Sequence, residues 1–285
     1  LQWIPKKRIA LAYGVLFSVI DFLIGVGFVV IPLIMVAVGG WRNTLYLWSV
    51  LILVSCIVWM IFGKDRLTPE YRKAIESQPG SPLGGLFRYK EPWILGFGAA
   101  GVISSRFAFN SFWPTFAHDE YGLSLATCGL VIGLISVVST PAKMAVAVFG
   151  PFANNPPMVF LVCGFVVWAT FTGMLFTASH LMLFVLGAVS GIGFAWIPLS
   201  ITQLFQLPGI RPRELTVAVS LFFTLLWIGG VTGPLAVGFL QEATGDLRFA
   251  LLVVSFTNIA LCISGIMLWL LRRRGLSNSL TTSLD

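Results

Sequence analysis

Two charged side chains, Asp21 and Arg106, stand well inside long apolar stretches of the 285-residue sequence. A charged side chain at the centre of a bilayer costs about 2.5 to 3.5 kcal/mol, so such residues mark places where solutes, ions or opposite charges are bound. A guanidinium offers a planar fork of donors that matches a carboxylate, and a desolvated carboxylate is able to carry a proton. The two residues therefore indicate either an anion site with a proton carrier or a fixed internal ion pair.

Arg106 lies near the middle of the apolar run 93–116, with Asn110 four residues after it and Trp113 three residues further on. These spacings place all three side chains on one helical face. That face predicts a substrate site in which Arg106 binds an anionic group, Asn110 adds hydrogen bonds and Trp113 covers an apolar part. The alternative is a structural Arg106 held in a salt bridge, most simply with Asp21.

Asp21 shares a helix face with Gly14, Ser18, Gly25 and Phe28. The small residues among them allow another helix to approach closely. A carboxylate desolvated by such packing is a candidate proton carrier. A fixed counter-ion of Arg106 is the alternative.

Trp196 precedes Ile197-Pro198 in the middle of the apolar run 181–206. Proline removes a backbone hydrogen bond and can break a helix beside a cavity. Trp196 is therefore a further candidate substrate contact, with packing as the alternative. Glycine pairs four residues apart, at Gly129/Gly133 and Gly229/Gly233, predict close helix packing.

These residues need membrane-spanning helices to position them. The sequence is 57% hydrophobic and 10% charged, whereas about a quarter of the residues in a soluble domain are charged. Continuous apolar runs predict an all-α polytopic membrane protein rather than a soluble globule or a transmembrane barrel. The eight predicted helices are 9–38, 43–62, 93–116, 124–149, 157–177, 181–206, 215–240 and 248–271.

The basic residues predict the orientation of these helices. If both ends of the chain face the cytoplasm, 15 of the 18 Lys and Arg residues lie on that side, and Arg42 and Arg248 lie outside. We count Lys143, near the inner end of its helix, with the inside group. Such a bias is a strong positive-inside signal, and it explains the net charge of +7 without a nucleic-acid partner.

Enzyme, metal and redox chemistry find no support in the sequence. Each of the four cysteines falls alone in a different apolar run, and His118 and His180 are separate residues at span ends. The chain has no Walker loop, no HExxH, no GxSxG and no pair of intramembrane carboxylates. We therefore expect no enzymatic activity, no cofactor and no metal.

Two segments look like one element used twice. Glycines, a proline and a Gly-to-Arg turn occur as Gly25, Gly27, Pro32, Gly40 and Arg42, and again as Gly229, Gly230, Gly233, Pro234, Gly245 and Arg248. If this element is the fifth helix of a six-helix half, the six helices after segment 63–92 form one complete half. The two helices before it then end another half. A six-helix half that ends with these two helices needs four more before them, and the chain opens with Leu1 rather than Met, so we expect four further helices upstream.

Three short segments match motifs of one transport family. Trp3 to Gly14 (WIPKKRIALAYG) resembles its loop into helix five, Gly40-Trp41-Arg42 resembles its turn into helix six, and 233–245 (GPLAVGFLQEATG) resembles helix eleven. The family is the major facilitator superfamily, most closely its cyanate-permease-like branch. The resemblance covers essentially the whole chain and implies helices five to twelve of a twelve-helix fold, truncated at the N-terminus. Segment 150–157 (GPFANNPP) replaces the family's usual basic signature, so the resemblance does not extend to charge-relay gating there.

The resemblance implies a division into the last two helices of one half (1–62), a cytoplasmic linker (63–92), a six-helix half (93–271) and a cytoplasmic tail (272–285). It also implies a secondary transporter that exposes a central site alternately to each side of the cell membrane. Because Arg106 can bind an anionic group, the expected solute is small, organic and anionic or zwitterionic. Symport with protons carried by Asp21 is an alternative that the sequence does not decide. The expected partners are this solute, the bilayer and protons, with the protein as a monomer. A non-transporting receptor or scaffold on the same fold is the alternative.

Overall fold

The computed structural model of the chain describes residues 8–63, 89–149, 155–207 and 209–282. Every regular element in those ranges is helical, which confirms the predicted all-α fold. Most of segments 1–8, 63–92 and 150–157, with their predicted motifs, lies outside the described residues. In chain order the α-helices are α1 (Ile9–Ala37), α2 (Trp41–Phe62), α3 (Glu91–Tyr121), α4 (Leu125–Phe149), α5 (Pro156–Met174), α6 (His180–Gly193), α7 (Ile197–Phe205), α8 (Pro212–Thr244), α9 (Leu247–Ser255) and α10 (Ile259–Thr282).

Seven helical segments of the described chain are long and apolar enough to cross a membrane. They are Leu11–Ala37, Trp41–Phe62, Leu125–Phe149, Pro156–Met174, His180–Phe205, Pro212–Thr244 and Leu247–Arg273. The predicted number of eight is therefore approximate, and α3 accounts for the difference. α3 has 31 residues, more than the roughly 20 that a span needs. It contains Arg106 and has acidic residues at both ends, so it is less apolar than the seven segments and is not counted with them.

Short 3-10 turns interrupt two of the spans. One, Phe194–Trp196, separates α6 from α7. Pro198 explains it, because a proline lacks an N–H and its ring crowds the carbonyl four residues earlier, here that of Phe194. The predicted break beside Trp196 is thus confirmed. The other turn, Phe256–Asn258, separates α9 from α10, and α10 then continues to Thr282, into the residues predicted as the tail.

Small residues bring α1 against α4 in an antiparallel pair. Gly14 faces Ala147, and a Cβ at Gly25 would lie 3.0 Å from the carbonyl oxygen of Gly133. Between these points Ser18 Oγ donates to the carbonyl of residue 140 at 3.0 Å. The predicted small face around Asp21 is confirmed, and it fixes the backbone that carries the carboxylate.

A second glycine contact joins α8 to α3 in parallel. Gly229 packs on the backbone of Ala100, and Gly233 packs on that of Ser104, so a Cβ at either glycine would overlap main-chain atoms. This confirms the predicted role of that glycine pair. α2, in contrast, stands at the edge of the bundle, and Thr44 is the buried residue among its 22.

Candidate functional site

Three charged residues are buried in the described part of the chain: Asp21, Arg106 and Lys143. Their exposed fractions are 5%, 6% and 1%. Asp21 comes from α1, Arg106 from α3 and Lys143 from α4, and the three side chains meet in one cluster. We call Asp21, Arg106 and Lys143 the charge cluster.

The carboxylate of Asp21 contacts both cations. Its Oδ1 accepts a hydrogen bond from Arg106 Nη2 at 3.4 Å. Its Oδ2 accepts hydrogen bonds from Lys143 Nζ and from Ser139 Oγ. The ion pair of Asp21 and Arg106 that the sequence suggested is thus present, with Lys143 as a second cation on the same carboxylate.

The guanidinium of Arg106 has one polar and one aromatic neighbour besides Asp21. Nη2 donates to Ser136 Oγ at 2.9 Å. The Phe194 ring centroid lies 4.3 Å from Cζ, within the range of a cation–π contact. Both hydrogen bonds of Arg106 to the described residues leave from Nη2, so the N–H groups of Nε and Nη1 are not engaged by them.

Hydrogen bonds from the last span hold another side of α3. Asn258 Nδ2 donates to Ser105 Oγ at 2.8 Å, and Thr257 Oγ1 donates to the Gly101 carbonyl at 2.6 Å. Because Ser105 is the neighbour of Arg106 in the chain, these bonds restrict the rotation of α3. The 3-10 turn that carries Asn258 thus contacts α3 next to Arg106.

The other predicted substrate contacts differ in burial and in hydrogen bonding. Asn110 is half-buried on α3, and Trp113 is buried with its Nε1 donating to the Met174 carbonyl at 3.4 Å. Trp196 is buried, and its Nε1 has no hydrogen-bond partner among the residues that the structure describes. Within the described ranges, no hydrogen bond or ring contact joins any of the three to Arg106.

Lys143 is the residue that sequence reasoning missed. Its place six residues before the end of α4 led us to count it with the inner charges, and its burial beside Asp21 was not predicted. Ser136, Ser139 and Lys143 repeat at intervals of three and four and share one face of α4, the face that packs on α1 at Asp21. This polar stripe was the available signal.

Metal ligation has no candidate site in the described ranges, where no group of three or more His, Cys, Asp or Glu side chains comes together. The four cysteines, at 56, 128, 163 and 262, are free thiols. The buried charged side chains that come together in the described part of the chain are those of the charge cluster.

Comparison with known proteins places the chain in a family. The sequence model of the Major Facilitator Superfamily matches residues 1–155, more than half of the chain. A curated relative, the uncharacterized transporter YycB of Bacillus subtilis (strain 168), is 23% identical over 217 residues, which is 75% of this chain and 52% of the relative. The nitrite extrusion protein of the same organism is 24% identical over 247 residues, 84% of this chain and 58% of that protein.

The chain thus spans a little more than half of the length of these relatives. A solved structure of a transporter has a similar fold. A bacterial homolog of the human lysosomal transporter Spinster, in an inward-facing and unoccupied conformation, superposes with a TM-score of 0.51. The match covers 76% of this chain and 54% of that one at 18% identity. From the family model and the helical fold together, we conclude that this membrane-spanning chain belongs to the Major Facilitator Superfamily.

Proposed function

We propose that this chain is part of a secondary active transporter that moves a small anionic or zwitterionic organic solute across the plasma membrane by alternating access. Family membership supports a transporter rather than an enzyme. The observation that carries the anionic part is the composition of the charge cluster, which pairs two cations with one carboxylate. We also propose that both ends of the chain lie in the cytoplasm, as the distribution of the basic residues predicts.

Charge balance explains why such a cluster favours an anion. A buried charge without a partner is costly, and in the described residues one carboxylate stands against Arg106 and Lys143. An anionic group at Arg106 would make the cluster neutral. The N–H groups of Nε and Nη1 are the donors that it would use. The carboxylate of a zwitterion would bind in the same way.

Asn110, Trp113 and Trp196 complete the proposed substrate path. Asn110 follows Arg106 by about one helical turn, and Trp113 lies one further turn along α3. The Nε1 of Trp196 is a buried donor without a partner in the described part of the chain, and such a group normally has one. We assign these three residues to contacts with parts of the solute more distant from its anionic group.

Asp21 has two roles open within this proposal. As a buried carboxylate it is a candidate proton carrier, and as a partner of two cations it is a counter-ion. The ion pairs support the counter-ion role, in which Asp21 balances part of the charge of Arg106 and Lys143. The name of one relative refers to nitrite, which agrees with an anionic solute for this chain.

Uptake by the full-length protein in proteoliposomes tests the proposal. We expect saturable accumulation of at least one of nitrite, acetate and glycine, and none of the cation choline. The matched variant is Arg106→Lys, which should abolish that accumulation. A protein that binds one of these solutes without moving it across the membrane would instead be a receptor or scaffold on this fold.

A further inference from the structure

The Asp21 carboxylate divides its contacts unequally between the two cations. The ion pair with Arg106, at 3.4 Å, is the longer of the two and lies beyond the usual hydrogen-bond range of 2.7 to 3.2 Å. Lys143 and Ser139 both donate to the other oxygen. Asp21 is therefore held mainly from α4, with a weak connection to α3.

We propose that Lys143 is a positioning residue that keeps Asp21 from occupying Arg106, so that the guanidinium can bind the anionic solute. The inference rests on the proposed function and concerns the same site. Lys143 is 1% exposed and Arg106 is 6% exposed, so Lys143 is the more enclosed of the two cations. Its ammonium is directed at Asp21, with the Phe17 ring centroid 6.0 Å away.

The reasoning is one of competition between two carboxylates. Without Lys143, Asp21 and Arg106 would form a one-to-one pair, and a solute would have to remove Asp21 from its one cation. A carboxylate left alone in such a place is strongly unfavourable. With Lys143 present, Asp21 keeps a partner when Arg106 turns to the solute, and the occupied cluster holds two positive and two negative charges.

Binding measurements on the purified full-length protein test the inference. Thermal-shift titration with sodium nitrite, sodium acetate and glycine gives an apparent Kd for each variant. We expect Lys143→Met to raise the Kd about tenfold or more, because Asp21 then competes directly for Arg106. Lys143→Arg retains a cation beside Asp21 and should stay close to the wild type.

The double variant Lys143→Met with Asp21→Asn separates positioning from direct binding. With no competing carboxylate, its affinity should return to within about threefold of the wild type, a difference of less than 1 kcal/mol. If the double variant binds as weakly as Lys143→Met, Lys143 itself contacts the solute and the inference is wrong. If Lys143→Met yields no folded protein, Ser139→Ala should show a smaller loss of affinity in the same direction.

Thr140→Val is the matched control, since Thr140 donates to the Ser18 carbonyl in the same α1–α4 contact but makes no bond to the charge cluster. Its affinity should equal that of the wild type. Unchanged affinity in Lys143→Met, with binding lost in Arg106→Lys, would overturn the inference and leave the proposed function standing. If none of the three probes shifts the wild-type melting temperature, the anion site itself is refuted, and the inference with it.

Discussion

Arg106→Lys keeps one positive charge in the buried cluster and removes the planar guanidinium. In the structure, Nη2 donates to Asp21 at 3.4 Å and to Ser136 at 2.9 Å, and the guanidinium lies over the Phe194 ring. A lysine ammonium is a compact point charge that cannot present two parallel N–H groups to one anion. The substitution therefore separates the charge of Arg106 from its geometry.

The expected magnitudes differ between binding and folding. A hydrogen bond to a charged group contributes about 1.5 to 3 kcal/mol, so losing one of two such bonds to an anion lowers affinity about tenfold to hundredfold. Folding should lose less, because the hydrogen bond to neutral Ser136 contributes about 1 kcal/mol and Asp21 keeps Lys143 as a partner. Arg106→Lys should thus be produced normally and lose uptake.

The assay compares initial uptake rates with the amount of folded protein in the same membranes. Arg248→Lys is the matched control, because it makes the same chemical change at an exposed ion pair with Glu120. Normal uptake by Arg106→Lys would refute the reasoning. So would low yields of both Arg106→Gln and Asp21→Asn that the double variant restores, since that pattern belongs to a purely structural ion pair.

Three further expectations follow from the same structure. Asp21→Asn leaves two buried cations together, so its folded yield by size-exclusion chromatography should fall below that of Arg106→Lys. The folded fraction should still bind the anion, and its uptake should no longer depend on pH. Unaltered yield and unaltered pH dependence of uptake would contradict this. A cysteine introduced near Ser81 should be labelled only after the membrane is opened, and one near Gly122 on intact cells; the reverse pattern would contradict the predicted orientation. Gly233→Ala should lower the free energy of unfolding by about 1 to 3 kcal/mol, because the added Cβ would overlap the backbone of Ser104. Gly238→Ala is the control: no atom lies within 4 Å of its added Cβ, so it should be neutral or stabilising. Equal melting temperatures for the two variants would contradict the contact of Gly233 with Ser104.

The fold was largely predictable because length and apolar composition decide where helices cross a bilayer. Spacing alone predicted that the small residues of α1 and the Gly229/Gly233 pair of α8 lie in close helix contacts, since small residues four apart leave a groove for a neighbouring backbone. It did not predict which helices they contact. The break before Pro198 followed from the chemistry of one residue. Each of these features depends on local sequence, which the chain displays directly.

The charge cluster was predictable only in part, because it depends on which helices meet. Asp21 and Arg106 were recognisable as charges inside apolar runs, but no local pattern shows that Lys143 extends from α4 to the same carboxylate. A long side chain near a helix end is equally able to reach the membrane surface. The antiparallel packing of α1 on α4 decides between these outcomes, and that is a tertiary fact.

The sharing of one carboxylate by two cations also sets the order in which substitutions can accumulate in this protein. Losing either cation leaves a neutral pair, whereas losing Asp21 first leaves two positive charges facing each other. Judged by the stability of the fold, mutational paths away from this arrangement should therefore begin at Arg106 or Lys143 rather than at Asp21. Variants that lack Asp21 should have lost a cation already.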